Sequence, residues 1–242
     1  MRVSTLSASA LVIGLLAGTP AQAQKVDQLS SITQSEFRLL SEDLGAVLSY
    51  RGQTPTTPLG TTGFDVGVAV TSSKIQNVAV LDKASSNNNA SATIYLPTLR
   101  AHKGLPLGFD VGVMYASVPD SNMKYYGGEV RYAIVEGGVT SPAVGVRGSM
   151  TKLTGVDQLS VNTRGIDLSI SKGFTVLTPY AGIGKVWVNS DPHGVPALNN
   201  EEFSLTKTFV GIGAQFILFN LNFEGDKTGD VKSYSIKVGM RF

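Results

Sequence analysis

The sequence predicts an all-β fold, a ten-stranded antiparallel transmembrane β-barrel with an N-terminal amphipathic helix. Three observations point there. From residue 62 onward apolar residues alternate with small or polar ones at period two, the mark of strands whose two faces meet different surroundings. After the first 23 residues no segment holds 18 consecutive apolar residues, so nothing reads as a membrane-spanning helix. The connections between the expected strands are short on one side and longer on the other, as in membrane barrels.

Residues 1–23 read as a secretory signal. Arg2 precedes an apolar run, roughly Ala8 to Gly18, and Ala21-Gln22-Ala23 forms a cleavage site before Gln24. Residues 24–61 are expected to form a periplasmic helix and linker. The helix is expected over 27–50, because Leu29, Ile32, Phe37, Leu40, Leu44, Val47 and Leu48 recur mostly three and four apart. Ser30 or Ser31 is the expected cap. Residues 51–61 carry two prolines and two glycines and read as a linker.

The barrel is expected over 62–242. In 62–72, Phe64, Val66, Val68 and Val70 oppose Asp65, Gly67, Ala69 and Thr71. The same alternation runs through 107–116, 125–135, 142–152, 159–171, 206–216, 219–225 and the final stretch. Segments 91–101 and 175–188 are strand-like, but Pro97 and Pro179 interrupt them and leave their facing open. With both termini in the periplasm, the periplasmic turns are 102–106, 136–141, 172–174 and 217–218. The outer loops are 73–90, 117–124, 153–158, 189–205 and 226–230. Strands of about ten residues also suit a tilted bilayer crossing, which takes ~9–11.

Composition narrows function by exclusion. The chain has no cysteine, which removes thiolate metal sites and cysteine nucleophiles. A net charge of +2 gives no reason to expect a nucleic-acid partner. Two histidines make a multi-histidine metal site unexpected, and no cofactor motif is present. His193 lies in Ser190-Asp191-Pro192-His193-Gly194 without a hydrolase motif around it and reads as a solvated loop histidine. His102 lies beside an expected periplasmic turn and reads as an interfacial or turn residue. No catalytic residue is assigned.

The inferred inward face carries Asp65, Asp110, Glu129, Arg131, Arg147, Asp167, Glu224, Lys237 and Arg241. Buried ions persist when paired, so these are expected to form a structural network, with Asp65 meeting Lys237 or Arg241 where the first and last strands close. Many other inward positions are small, among them Gly67, Gly108, Gly112, Gly145, Gly211, Gly213 and Gly239. Such a lumen has room for a filler, and the helix is expected to enter it or cap its periplasmic mouth. The alternative is a helix lying on the periplasmic membrane surface.

The terminal YSIKVGMRF resembles the last strand of Gram-negative outer-membrane proteins: Tyr234, Ile236, Val238, Met240 and Phe242 alternate toward a final phenylalanine. Pro179-Tyr180-Ala181-Gly182-Ile183-Gly184 resembles a strand motif of small OmpA/OmpW-like barrels. With its leading helix the chain looks like an uncharacterised family of small outer-membrane barrels for which no activity is implied. The resemblance implies recognition by the barrel-assembly machinery, outer-membrane lipid as surroundings, and outer-membrane localisation after export. The oligomeric state stays open. The first expectation for function is a narrow pore or small-solute conduit plugged or gated by the helix. The second is a structural or adhesion barrel acting through loops 73–90 and 189–205, and the third a lipid-modifying enzyme.

Overall fold

The computed structural model describes residues 26–86, 90–117, 123–138 and 140–242. The expected signal at 1–23 lies outside them. Ten strands form one closed antiparallel barrel in which each pairs with its neighbours in sequence and the last returns to the first. They are β1 (Phe64–Lys74), β2 (Thr93–Gly104), β3 (Phe109–Ser117), β4 (Lys124–Val135) and β5 (Ala143–Thr154), followed by β6 (Leu159–Ser171), β7 (Leu177–Pro192), β8 (Glu201–Phe216), β9 (Phe219–Thr228) and β10 (Val231–Arg241). The β1–β10 seam runs from Asp65 opposite Arg241 to Lys74 opposite Lys232.

Alternation translates directly into facing. On β1, Asp65, Ala69 and Thr71 are buried inside, while Phe64 and Val66 are exposed on the outer wall. The two strands left open by the sequence also resolve. Thr98, Arg100 and His102 of β2 are buried in the lumen, as are Tyr180, Val186, Val188 and Ser190 of β7. His102 is therefore a wall residue inside the barrel and not part of a turn, because β2 runs on to Gly104. Gly108 instead leaves the wall for a turn at Pro106–Gly108, where its φ is +75°.

β7 and β8 run past their expected ends, to Pro192 and from Glu201. The expected 189–205 loop thus shrinks to 193–200. The loop between β1 and β2 holds a short helix, α2 (Val78–Lys83).

The N-terminal helix is shorter than 27–50. A 3-10 turn at Leu29–Ser31 precedes α1 (Gln34–Val47). Thr33, not Ser30 or Ser31, caps it. The Thr33 hydroxyl accepts from the Glu36 amide at 3.3 Å, and the Glu36 carboxylate accepts from the Thr33 amide at 2.9 Å. This reciprocal pairing satisfies two donors that a helix start leaves free.

The helix lies within the lumen, one of the expected placements, and not at the short-turn end, which the sequence reading took as the periplasmic mouth. It packs inside the barrel at the end of the longer loops, against β6, β7, β8 and β10, and contacts α2. Leu29, Ile32, Phe37, Leu40, Leu44, Val47 and Leu48 are all buried there, together with Met114, Tyr125, Leu159, Val161, Val186 and Val188 of the wall. Residues 48–63 then thread the lumen toward the short turns, where β1 begins.

Candidate functional site

Among the described residues, buried charge gathers in the lumen, and the threaded segment fills it. At the long-loop end the filling is apolar and its rim is polar. Ser41 and Ser190 meet hydroxyl to hydroxyl at 2.9 Å, both fully buried. Asp43 accepts from the Asn77 amide at 2.7 Å and so ties α1 to the β1–β2 loop. Lys83 reaches Glu36 at 2.6 Å. That bond, with the Thr33 bonds, holds the Glu36 carboxyl down to about 2 from its ordinary 4.5.

Midway, the helix end is clamped by the wall. The Leu48 carbonyl accepts from the Tyr125 hydroxyl at 2.7 Å and from Thr151 at 2.8 Å. Arg51 donates to the carbonyls of Ala46 and Val47 at 3.1 and 2.8 Å, to Ser233 at 2.8 Å, and to Asp226 at 2.6 Å. It therefore satisfies the end of α1 and pins it to β9 and β10. Lys207 donates to the Tyr50 carbonyl at 2.5 Å, and Arg100 donates to the carbonyl of Arg51.

Toward the short turns the segment is held by polar contacts. Glu224 accepts from the Gln53 amide at 3.1 Å, Arg131 donates to Thr54 at 2.6 Å, and Thr56 donates to Ser169 at 2.9 Å. Asp110 accepts from the Leu59 amide at 3.0 Å. The small inward residues make room for this passage: a Cβ at Gly145 would lie 2.9 Å from Thr56 Cγ2, and one at Gly213 would lie 3.0 Å from Pro55. Gly112 likewise accommodates the His102 ring.

The nine inward charges inferred from sequence all lie in this lumen wall. Asp65 meets both Lys237 and Arg241, the latter at 3.1 Å, and so fastens the seam. Arg131 pairs with Asp110 at 2.8 Å, and Arg147 with Asp167 at 2.5 Å. Register sets Arg131 directly opposite Arg147, a like-charge pair that would be costly alone. Glu129 stands among both, at 3.4 and 3.6 Å, and 3.2 Å from His102. Glu224 accepts from the Tyr180 hydroxyl at 3.0 Å.

Sequence reading missed Arg51, Arg100, His102, Lys207 and Asp226. Lys207 lay inside the expected strand 206–216 and in phase with Gly211 on its inward face, so the alternation alone was enough to find it. Asp226 lay in an expected loop and Arg51 in an expected linker. Ser190, Asp191 and His193 do not converge: Ser190 turns into the lumen, while His193 and Asp191 are exposed and 3.8 Å apart. Among the described residues no group of three or more His, Cys, Asp or Glu could hold a metal ion.

The outer wall completes the picture. Exposed Phe64, Phe109, Tyr132, Phe216, Phe219 and Phe242 ring the short-turn end. Exposed Tyr95, Tyr115, Tyr126, Trp187 and Tyr234 ring the other, with Val66, Leu99, Val113, Val130, Ile166, Ile183 and Val210 exposed on the wall between. Closure, an apolar belt and two aromatic girdles define a transmembrane β-barrel.

No protein-family model and no curated protein matches the sequence. Solved structures similar to it include the N-terminal β-barrel domain of Pseudomonas aeruginosa OprF, at 13% identity over 76% of this chain and 99% of that one, with a TM-score of 0.37. The KdgM porin is similar at 10% identity over 75% and 99%, with a TM-score of 0.37. The outer membrane protein OprG from Pseudomonas aeruginosa is similar at 10% identity over 78% and 98%, with a TM-score of 0.35.

Proposed function

We propose that this chain is a Gram-negative outer-membrane barrel sealed from within by its own N-terminal segment, with a structural or binding role carried at its long-loop end. The observation behind this reading is the apolar core inside the lumen. Withdrawing α1 and its leading turn would uncover seven buried apolar side chains, Leu29, Ile32, Phe37, Leu40, Leu44, Val47 and Leu48. At about 1.5–3 kcal/mol each, that costs on the order of 10–20 kcal/mol, comparable with the stability of a whole domain. A plug held this way does not leave by thermal fluctuation.

A second reading, a narrow solute conduit, has its own support. Between Arg51 and Leu59 the segment touches the wall through polar groups, which water could replace. A single full-length variant separates the two. The chain has no cysteine of its own, so Ser41→Cys with Ser190→Cys places one disulfide between helix and wall. A sealed barrel is silent in a planar bilayer whether the pair is oxidised or reduced. A conduit gated by the helix conducts when reduced and closes when oxidised, and that result would displace the sealed-barrel reading.

A further inference from the structure

The outer wall of β9, β10, β1 and β2 is graded toward the long-loop end. Register aligns Phe223, Ile236, Val70 and Pro97 in one outward row, which is wholly apolar. The next row is Gly225, Tyr234, Ser72 and Tyr95, and it carries hydroxyls. The third row is Lys227, Lys232, Lys74 and Thr93. Three lysines thus stand side by side on three adjacent strands, with Lys232 directly opposite both of the others.

Directly opposed like charges destabilise a sheet unless something neutralises them, since such side chains start only ~4.5–5.5 Å apart at Cβ. The chain itself supplies little. Asp230, in the β9–β10 turn, meets Lys227 at 3.3 Å, but both groups are half or more exposed. No described acid of these four strands faces outward at this level: Asp65, Glu224 and Asp226 all point inward. The order hydrocarbon, hydroxyl, ammonium is the order in which a bilayer presents acyl chains, interface and headgroup. Tyr234, 70% exposed directly below Lys232, marks the interface. Elsewhere on the wall the outward bases are staggered: Lys185 faces Ile166, Arg164 faces Trp187 and Lys152 faces Asn162. Among the described residues no second row of this kind forms there.

We infer that Lys74, Lys227 and Lys232 form a binding site for a phosphate-bearing lipid headgroup in the leaflet facing the long loops. The three ammonium groups take a headgroup with more than one phosphate, while the Tyr234 and Tyr95 row and the apolar row below receive its acyl chains. The inference rests on the barrel standing in a bilayer, not on whether its lumen conducts.

The test uses the full-length chain in neutral detergent. Binding of a bis-phosphorylated glycolipid and of zwitterionic phosphatidylcholine is measured by native mass spectrometry. The combined variant Lys74→Gln/Lys227→Gln/Lys232→Gln is expected to weaken glycolipid binding at least ten-fold and leave phosphatidylcholine unchanged. Lys232→Gln alone should weaken it several-fold, and Lys185→Gln on the other side of the barrel less than two-fold. Folding of each variant is checked by its thermal melt, and Lys232→Gln decides the matter if the combined variant does not fold. Glycolipid binding within two-fold of the parent in the variants would overturn the site. An equal loss on Lys185→Gln would reduce it to general charge, and displacement of the lipid by inorganic phosphate at equal phosphate concentration would make it a free-anion site; either refutes the lipid assignment. A parent chain that binds both lipids equally, or neither, defeats this inference alone, whereas a chain that fails to insert into lipid vesicles defeats the membrane reading beneath it.

Discussion

Arg51→Ala is the substitution that most directly tests the threaded lumen. The Arg51 guanidinium is 3% exposed and its partner carboxylate on Asp226 is fully buried. Removing it leaves the Asp226 carboxylate, among the described residues, with the Thr228 hydroxyl at 3.1 Å as its hydrogen-bond donor, and takes a donor from the carbonyls of Val47 and Ala46, the latter still accepting from the Ser49 hydroxyl at 2.8 Å. Losing one partner of a buried pair costs about 3–5 kcal/mol, most of it the uncompensated charge left behind. The pair itself is worth far less than its rupture, because apolar replacement of both partners is often neutral or better. Arg51→Met with Asp226→Leu should therefore recover most of the loss, short of ~1–2 kcal/mol for the carbonyls. The assay is urea unfolding from lipid vesicles, followed by the fluorescence of Trp187, the chain's single tryptophan. Arg51→Ala within ~0.5 kcal/mol of the parent, the range of an uninvolved surface change, would refute the lumen path of residues 48–63. Single-variant losses that simply add in the double variant would refute the pairing.

Three further expectations share that assay. Phe37→Ala empties a fully buried site inside the barrel and should cost about 3–5 kcal/mol; no loss would take α1 out of the lumen. Val68→Arg places a charge mid-belt on the lipid face of β1 and should cost about 2–4 kcal/mol, so a neutral result would contradict the facing of that strand. The Glu36 carboxyl is held down to about 2 from 4.5, which makes its contribution complete above pH 4.5 and lost as pH falls through about 2. The stability gap between the parent and Glu36→Gln should be constant above pH 5 and close on acidification. A gap unchanged at pH 2 would deny the Lys83 and Thr33 contacts their role.

The strands were legible because their signal is local. Asp65 beside Phe64, or Asp167 beside Ile166 and Leu168, declares which side of the wall each residue faces without reference to any distant part of the chain. Eight of the ten strands and the inward placement of the nine charges follow from that period alone. Where prolines broke it, at Pro97 and Pro179, the facing was lost, and Arg100 and His102 with it. The helix periodicity was equally local, but it could not say where the helix goes. A glycine-lined lumen, a barrel mouth and a membrane surface all ask for the same apolar stripe. Only closure of the barrel chose among them, by bringing Val186, Val188 and Leu159 into one buried cluster with Phe37 and Leu40. The same holds for Arg51 and Asp226, which lie 175 residues apart in sequence. The linker of Arg51 carries no period that announces burial, whereas Asp226 continues the inward phase of Asn222 and Glu224 and so shows its face but not its partner. The sequence by itself determined the wall and its two faces, since alternation is written residue by residue. What fills the wall was decided by tertiary structure, since a buried charge declares its partner only when distant strands enclose both.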